Sequence, residues 1–480
     1  MSPPAAPSPK EALAEARRRL NAGDHAGAAQ IAMNALVRRK RDPDLLAVLG
    51  AALTRAGRAR DALPYLERSL EVRPVHPATI LDLANAHRHL GQTDKAFELL
   101  DRALMYEPGY AAALYGKAML LQTVGEHRQA LDLVAPHATK AAADPRVVTA
   151  YASLCRQLAD PEDAVRALEG VFSRANLPPA HERPARFEMG HALDALARYD
   201  EAFEHFKRGN ELTPPRPEGD PEKLISVWSK DTLSRLVRAQ ERSELPVLVV
   251  GMPRSGTSLC EQVVCRHPQA EGVGESRLLG QLAAASPPAS LTQQRVDAMG
   301  RQYLDMLRAA TTPRTTRVLD KMPGNTMTLG LASRIIPGAR VVWRRRDPRD
   351  TILSCYFQDF GANLTFTRDL ESCARHLVAQ ERLMRHWQET LDLPILEDRY
   401  EEFVSDPEGS IRRLLDFLGL PFDEACLSFH ESRRRMDTAS MGQVRRPLFD
   451  TSVGRWRHYE AQLAPAIRVL EDASGGAKAG

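Results

Sequence analysis

Residues 247–258 read VLVVGMPRSGTS, and this stretch decides the fold of the second half of the chain. The uninterrupted apolar run Val247–Val250 predicts a buried parallel strand. Gly251, four further residues and then Gly256-Thr257-Ser258 give the spacing of a phosphate-binding loop that opens a helix. Because the backbone N–H groups at such a helix N-terminus point at an anion, the stretch predicts a phosphate-like ligand.

The loop departs from the pattern of nucleoside triphosphatases at one position. The lysine expected after the second glycine is Thr257, and a cation, Arg254, stands inside the loop instead. That lysine normally contacts the β- and γ-phosphates. Its replacement argues against ATP hydrolysis, and a kinase-like enzyme stays open as an alternative that Mg²⁺-dependent ATP turnover would support.

The composition is that of an ordinary globular protein of two or three domains. The 480 residues are 43% hydrophobic and 26% charged, and the formal net charge is +3. This charge gives no general attraction to nucleic acid or to a membrane surface. The six cysteines have no metal-ligand spacing, and no apolar run reaches the ~18 residues of a membrane span. We therefore predict a cytoplasmic protein with no metal, no nucleic-acid partner and no membrane association.

The first half of the chain is a repeat with a period of 34 residues. Glycines recur at this spacing, alanines continue the register, and another alanine follows five residues after each of these positions. Prolines close two of the units. The register positions are Gly23, Gly57, Gly91, Gly125, Ala159 and, after a four-residue slip, Ala197; the following alanines are Ala28, Ala62, Ala96, Ala130, Ala164 and Ala202; the prolines are Pro74 and Pro108.

This pattern resembles the tetratricopeptide repeat, in which helix pairs stack into a superhelix with a concave face. The face suits a peptide or a partner protein, and a spacer or dimerisation scaffold is the open alternative. The helical pattern breaks at PPRPEGDP, residues 214–221. We predict four parts: a repeat domain, a helical connector, a catalytic domain and a flexible tail, at residues 10–215, 216–244, 245–465 and 466–480.

The second half alternates predicted strands and helices, which indicates an α/β domain with a central parallel sheet. Polar groups follow successive strands: Glu275 stands in GVGES, Lys321 follows the strand-like Arg317-Val318-Leu319, and Arg346 follows the strand-like Ala339 to Trp343. In such sheets ligands bind beyond the carboxyl ends of the strands. We therefore expect these side chains to meet in one crevice.

Five motifs together resemble the sulfotransferase family. They are PRSGTS, GES, the segment DKMPGN, RDPRDTILS and TSVGRWRHY, and the resemblance covers roughly residues 245–462. A repeat domain followed by this domain is similar to bacterial tetratricopeptide–sulfotransferase fusions and, more distantly, to tyrosylprotein sulfotransferases. The resemblance implies 3′-phosphoadenosine 5′-phosphosulfate (PAPS) as the sulfonate donor.

The resemblance also implies which residues bind the donor. The loop would hold the 5′-phosphosulfate, Arg346 and Ser354 match the pair that binds the 3′-phosphate, and C-terminal arginines would close over the nucleotide. The loop residues are Arg254, Ser255, Gly256, Thr257 and Ser258, and the C-terminal arginines are Arg445, Arg446 and Arg455.

Catalytic roles follow from the same resemblance. Glu275 matches the base of the tyrosylprotein enzymes, and Lys321 matches the lysine that stabilises the leaving oxygen. Arg254 and Ser440 would lie near the transferred group. The chemistry agrees, because sulfuryl transfer resembles phosphoryl transfer in its loose transition state, and a hydroxyl acceptor with a pKa of about 10 needs a base at neutral pH.

The acceptor stays open at this stage. A hydroxyl is expected, and a tyrosine of a peptide or protein bound by the repeats is the first candidate. A carbohydrate or small metabolite is an alternative, and so is a repeat scaffold whose P-loop domain is inactive. The sequence gives no oligomeric state.

Overall fold

The computed structural model of the chain consists of two compact units, Met1–His205 and Phe206–Gly480. The first is helical and the second contains a parallel sheet, which confirms the predicted fold class. The residues that the structure describes are 8–140, 142–158, 160–174, 177–213, 221–361, 364–431 and 452–475.

The first unit is built from helices that follow one another in pairs, and each of the first ten helices packs against the next. Their bounds are α1 Pro9–Asn21, α2 His25–Leu36, α3 Pro43–Arg55, α4 Ala59–Val72, α5 Pro77–His89, α6 Thr93–Tyr106, α7 Ala111–Val124, α8 His127–Ala138, α9 Pro145–Gln157, α10 Pro161–Phe172, α11 Pro179–Ala195 and α12 Tyr199–Glu211. The unit boundary falls inside α12.

The turn between the two helices of a pair requires a left-handed backbone. Five of the six register positions have a positive φ, which only glycine adopts at little cost. The values are +82° at Gly23, +80° at Gly57, +73° at Gly91, +92° at Gly125 and +56° at Ala197. The sixth position, Ala159, lies outside the described residues. The glycine period of the sequence is therefore a period of helix-pair turns.

The alanine period has a packing cause. All six alanines that follow the turns are completely buried: Ala28, Ala62, Ala96, Ala130, Ala164 and Ala202. Each lies near the start of the second helix of its pair. A larger side chain there would separate the paired helices, because protein interiors leave no spare volume.

The second unit is built around five parallel strands in the order β2-β3-β1-β4-β5. The bounds are β1 Pro246–Gly251, β2 Ala270–Gly274, β3 Arg317–Lys321, β4 Arg340–Arg345 and β5 Ile395–Arg399. The helices are α13 Pro221–Val227, α14 Lys230–Arg235, α15 Thr257–Val264, α16 Leu278–Ala284, α17 Gln293–Arg308, α18 Leu329–Ile335, α19 Pro348–Tyr356, α20 Leu370–Thr390, α21 Tyr400–Ser405, α22 Pro407–Leu418 and α23 Glu460–Gly475.

Strand β1 is buried on both faces, which explains its continuous apolar run. Val247 and Val249 belong to one hydrophobic cluster with residues of α15 and α22. Leu248 and Val250 belong to another cluster with residues of α17, α18 and α20. In the sheet, β1 has β3 on one side and β4 on the other. It therefore lies at the position where the chain changes from adding strands on one side of β1 to adding them on the other.

Two of the predicted parts lie within the second unit. The predicted helical connector, 216–244, does contain two short helices, α13 and α14, and its Trp228 and Leu233 are buried in the core of the second unit. The predicted flexible tail from residue 466 is wrong for its first ten residues, which continue α23. Leu463 and Ala466 are buried because their spacing of three places both on the face that meets α20.

Within the described part of the chain, no helix combines the length and the apolar character that crossing a membrane requires.

The repeat turns give a matched pair of substitutions. Gly57→Ala should lower the free energy of unfolding of the repeats by about 1 kcal/mol, because a residue with a Cβ atom is strained in the left-handed backbone conformation. Ala197→Gly should raise it by about 0.5 to 1 kcal/mol for the same reason. Chemical unfolding followed by far-ultraviolet circular dichroism measures both.

The control for this pair is Gly109→Ala. A Cβ atom on Gly57 or on Gly109 meets no atom within 4 Å, but only Gly57 has a left-handed φ. Equal effects of the two glycine substitutions would show that the backbone conformation is not the cause.

Candidate active site

Four strands end at one edge of the sheet and bring the predicted site residues to it. Because all strands are parallel, the loop after β1, Glu275 after β2, Lys321 at the end of β3 and Arg346 after β4 share the carboxyl edge. Val249 of β1 pairs with Lys321, and Gly251 pairs with Arg344 on the other side. The expected crevice is therefore centred on the loop after β1.

The loop of residues 251–256 needs both of its glycines. Gly251 has a φ of +144°, and a Cβ atom there would lie 2.4 Å from the carbonyl oxygen of Arg344. Gly256 has a φ of +95°, and its Cβ atom would lie 2.9 Å from the ring of Tyr400. Gly256 is the N-cap of α15 and supplies no side-chain cap. The first N–H groups of this helix therefore face the loop as an anion-binding end.

Two guanidinium groups meet at this loop, those of Arg254 and Arg346, and the charge of a third, Arg455, acts on Arg254. The Nε of Arg254 donates to the Oγ of Ser354 at 3.0 Å, and Nη1 of Arg346 donates to the carbonyl oxygen of Arg254 at 3.3 Å. Burial lowers the pKa of Arg254 to about 10, and the charges of Arg346 and Arg455 act in the same direction. Like charges this close repel, so an anion between them would be stabilised.

Arg346 has capacity left for such an anion. Its Nη2 donates to the carbonyl oxygen of Ser452, and its guanidinium lies 5.0 Å from the ring centre of Tyr400. Its Nε is buried and has no hydrogen-bond partner among the described residues. A buried N–H without a partner is costly, and a phosphate oxygen is a suitable acceptor for it. The residues present therefore fit a phosphorylated nucleotide.

A carboxylate and an ammonium group form the second part of the site. Nζ of Lys321 lies 2.5 Å from Oε1 of Glu275. The side chain of Lys321 is fully buried, whereas that of Glu275 is 41% exposed. The two residues come from the neighbouring strands β3 and β2, so the sheet register holds them together. The pair places a proton acceptor and a fixed positive charge side by side.

Asp320 is a buried carboxylate next to Lys321 in β3 that the sequence analysis did not single out. Its Oδ2 accepts from the hydroxyl of Tyr303 at 2.7 Å and from the side-chain amide of Asn325 at 3.4 Å. Burial raises the pKa of Asp320 to about 6. The signal in the sequence was an acidic residue directly after the apolar Val318-Leu319 and next to Lys321.

The arginine run 344–346 is not a solvated face, because each residue has a different environment. Arg344 and Arg345 belong to β4, so the strand extends two residues further than predicted. Arg344 is fully buried and pairs with the buried Asp398. Arg345 pairs with Glu381 and Glu397. Arg346 donates to the carbonyl oxygen of Arg254 in the loop, and Nη2 of Arg344 also lies beside the loop, 3.1 Å from where a Cβ atom on Gly256 would be. Residues two apart share a side of a strand, which agrees with both arginines facing the loop.

Three predicted residues lie outside the described residues: Ser440, Arg445 and Arg446. Arg455 is described, and its guanidinium lies 6.0 Å from the ring centre of Phe357. Thr257 and Ser258 are buried in the first turn of α15.

Two family models match parts of the chain. Residues 246–424 match the model of the sulfotransferase family, and residues 88–154 match a tetratricopeptide repeat model. The chain joins tetratricopeptide repeats to a sulfotransferase-family domain. The first matched range contains the loop, Glu275, Lys321, Arg346 and Ser354, and it ends before the C-terminal arginines.

Curated relatives cover both kinds of segment. An uncharacterised protein of Aquifex aeolicus (strain VF5) is 27% identical over 404 residues, which are 79% of this chain and 52% of the relative. Protein-tyrosine sulfotransferase 1 of Danio rerio is 24% identical over 222 residues, 42% of this chain and 61% of the relative. The chain thus spans about half the length of the first of these relatives and less than two thirds of the second.

Solved structures with similarity to the chain fall into the same two groups. The sulfotransferase domain of the Synechococcus PCC 7002 olefin synthase is 20% identical, with a TM-score of 0.38, and covers 50% of this chain and 98% of that one. A thermophilic tetratricopeptide protein of Thermus thermophilus is 18% identical, with a TM-score of 0.33, and covers 41% of this chain and 100% of that one.

Asp320 makes the stability of the second unit depend on pH. Its pKa of about 6 is raised above the ordinary value, so the folded state holds a proton that the unfolded state has lost between pH 4 and 6. The contribution of Asp320 is therefore present at pH 4 and falls as the pH rises to 6. A pKa raised by about two units corresponds to a fall of up to about 3 kcal/mol in the free energy of unfolding over this pH range.

Tryptophan fluorescence during denaturant unfolding measures this dependence, because all four tryptophans lie in the second unit, at Trp228, Trp343, Trp387 and Trp456. Asp320→Asn should remove the extra fall between pH 4 and 6 whatever its constant effect on stability. Parallel pH curves for the wild type and this variant would contradict the assignment.

Proposed function

We propose that the protein is a PAPS-dependent sulfotransferase that transfers a sulfonate group to a hydroxyl acceptor. The observation that carries the proposal is the convergence of Arg254, Arg346 and Arg455 on an uncapped helix N-terminus, at the sheet edge that also holds the Glu275–Lys321 pair. The match of residues 246–424 to the sulfotransferase family supports the same proposal.

The donor would be held by its two anionic ends. The N–H groups at the start of α15 and the guanidinium of Arg254 suit the 5′-phosphosulfate. Arg346, with its unpartnered Nε, and Ser354 suit the 3′-phosphate. When bound, PAPS supplies the sulfonate group and leaves as 3′-phosphoadenosine 5′-phosphate.

Glu275 and Lys321 would carry the proton and the charge of the reaction. The carboxylate of Glu275 accepts the proton of the acceptor hydroxyl, which a phenol with a pKa of about 10 does not lose unaided at neutral pH. The ammonium of Lys321 and the guanidinium of Arg254 stabilise the negative charge that develops on the leaving oxygen. The exposed part of Glu275 is where an acceptor reaches the pair from solvent.

A tyrosine of a peptide or protein is the acceptor that we propose. The similarity to protein-tyrosine sulfotransferases over the catalytic region supports it. The free thiols of the six cysteines are consistent with the cytoplasm, which we retain as the proposed compartment.

The repeats offer a place for such a peptide. A cavity of about 190 Å³ lies between α3 and α5, and polar residues line most of it: Thr54, Arg55, Asp82, Asn85, Arg88 and His89. Burial raises the pKa of Asp82 to about 7, although the charge of Arg55 opposes this shift. The cavity thus has basic side chains, Arg55 and Arg88, and an acidic one, Asp82. Such a lining suits a peptide with charged side chains.

Binding of 3′-phosphoadenosine 5′-phosphate tests the donor assignment. Calorimetry should give a dissociation constant at least about tenfold lower than for 5′-AMP, because only the first ligand carries the phosphate that Arg346 and Ser354 hold. Arg346→Ala should remove most of this preference. Arg375→Ala, which removes an exposed arginine on α20, is the control.

Equal affinity for the two nucleotides would refute the donor assignment. Tighter binding of MgATP, with turnover, would support the kinase-like alternative instead.

Glu275→Gln tests the base. The amide keeps a hydrogen-bond acceptor for Lys321 but cannot take a proton, so kcat for sulfonation of a tyrosine peptide should fall about 100-fold or more while nucleotide affinity stays the same. Glu271→Gln, on the same strand, should leave kcat unchanged. A variant Glu275→Gln with wild-type kcat would exclude Glu275 as the base. A wild-type enzyme that sulfonates sugars but not tyrosine peptides would contradict the proposed acceptor and support a carbohydrate acceptor instead.

A further inference from the structure

Asp350 joins the donor side of the site to the segment of residues 452–459, which we call the closing segment. Asp350 is only 1% exposed in the first turn of α19. It does not cap its own helix, because Asp347 does so. Instead its Oδ2 accepts from the backbone N–H of Gly454 at 2.7 Å, and its Oδ1 accepts from that of Trp456 at 2.9 Å.

The two N–H donors bracket Arg455. Gly454 has a φ of +74° and precedes a 3-10 turn, Arg455–Tyr459, whose own N-cap residue supplies no side-chain bond. The first N–H groups of such a turn need an acceptor from elsewhere. Asp350 meets this need with both carboxylate oxygens, so the backbone on each side of Arg455 is fixed to α19.

Other contacts hold the closing segment in the same place. Arg346 donates to the carbonyl oxygen of Ser452, and the guanidinium of Arg349 lies 3.8 Å from the ring centre of Trp456. Tyr459 is fully buried and meets the ring of Phe357 edge-on at 4.9 Å. Arg346 and Arg349, which make two of these contacts, lie within four residues before Asp350 in the sequence.

The segment is held against a repulsion. Arg455 and Arg346 both lower the pKa of Arg254, whose largest cause of lowering is burial. The guanidinium of Arg455 is therefore repelled by the like charge of Arg254. The bonds to Asp350 oppose this force in the absence of an anion, and an anion between the arginines would reverse its sign.

We propose that Asp350 is a positioning residue for donor binding: its carboxylate fixes the closing segment so that Arg455 faces the anionic groups of the nucleotide. The inference rests on the donor assignment proposed above. Asp350 touches no substrate in this account; it acts through the backbone of residues 454–456.

A double-mutant cycle in the full chain tests the proposal, with 3′-phosphoadenosine 5′-phosphate as the calorimetric ligand. Asp350→Asn replaces one acceptor oxygen by a donor that faces an N–H group, so the dissociation constant should rise about 10- to 100-fold. Arg455→Ala should have a similar effect. The double variant should bind no more weakly than Arg455→Ala alone, because Asp350 acts only through Arg455.

Glu460→Gln is the charge-matched control, since it removes an exposed carboxylate directly after the closing segment, and it should bind like the wild type. In steady-state assays Asp350→Asn should raise the KM for the donor and leave the KM for the acceptor unchanged. If Asp350→Asn fails to fold, as tryptophan fluorescence would show, Gly454→Ala strains the same turn without touching Asp350 and should weaken nucleotide binding in the same way.

The proposal would be overturned if Asp350→Asn bound the nucleotide with the wild-type dissociation constant. It would also be overturned if the increases in dissociation constant caused by Asp350→Asn and Arg455→Ala multiplied in the double variant. A wild-type chain that does not prefer the 3′-phosphorylated nucleotide would instead refute the donor assignment. In that case trypsin cleavage after Arg455 and Arg457 still tests the anchor: Asp350→Asn should be cleaved several-fold faster than the wild type, and equal rates would refute it.

Discussion

Mutual repulsion among Arg254, Arg346 and Arg455 is the constraint on which the site depends. Three guanidinium groups are brought together around one loop, and the folded chain must hold them there against their charge. It does so with contacts to neutral or backbone groups: the hydroxyl of Ser354, the carbonyl oxygens of Arg254 and Ser452, and the Asp350 anchor of the closing segment. Under the proposed function, an anion bound at this loop would offset the like charges of these arginines.

The sheet makes this concentration of charge possible. Strand β1 is buried on both faces, so its position is fixed by packing, and its neighbours β3 and β4 deliver Lys321 and Arg346 to the same edge. The Glu275–Lys321 pair lies towards β2 and β3, while Arg346 lies towards β4. The two groups of proposed site residues are thus on opposite sides of β1, with the loop after β1 between them.

Much of this was readable in the sequence, because local rules govern it. The apolar run before Gly251 predicts β1, and the 34-residue glycine period predicts the repeat turns, since both depend on residues next to one another in the chain. The strand-end positions of Glu275, Lys321 and Arg346 follow from the same alternation. The environments of Asp320, Arg344 and Asp350 did not follow, because each depends on a partner distant in the chain: Tyr303, Asp398 and the backbone of Gly454 and Trp456. The helix over residues 466–475 was missed because its cause is burial against α20.

The alternation of β4 has a consequence for how this domain tolerates change. Residues 344 and 346 are two apart and turn to one side of the strand, whereas residue 345 turns to the other, where Glu381 and Glu397 neutralise it. Inserting or deleting one residue within β4 would exchange these sides. Asp398 would lose Arg344 and keep only its longer contact of 3.5 Å to Arg413, and a different guanidinium would face the loop. We therefore expect insertions and deletions to be tolerated in the loops that flank β4 and not within the strand. The alternation of side chains along β4 determines both which arginine is buried in the core and which arginine contacts the loop.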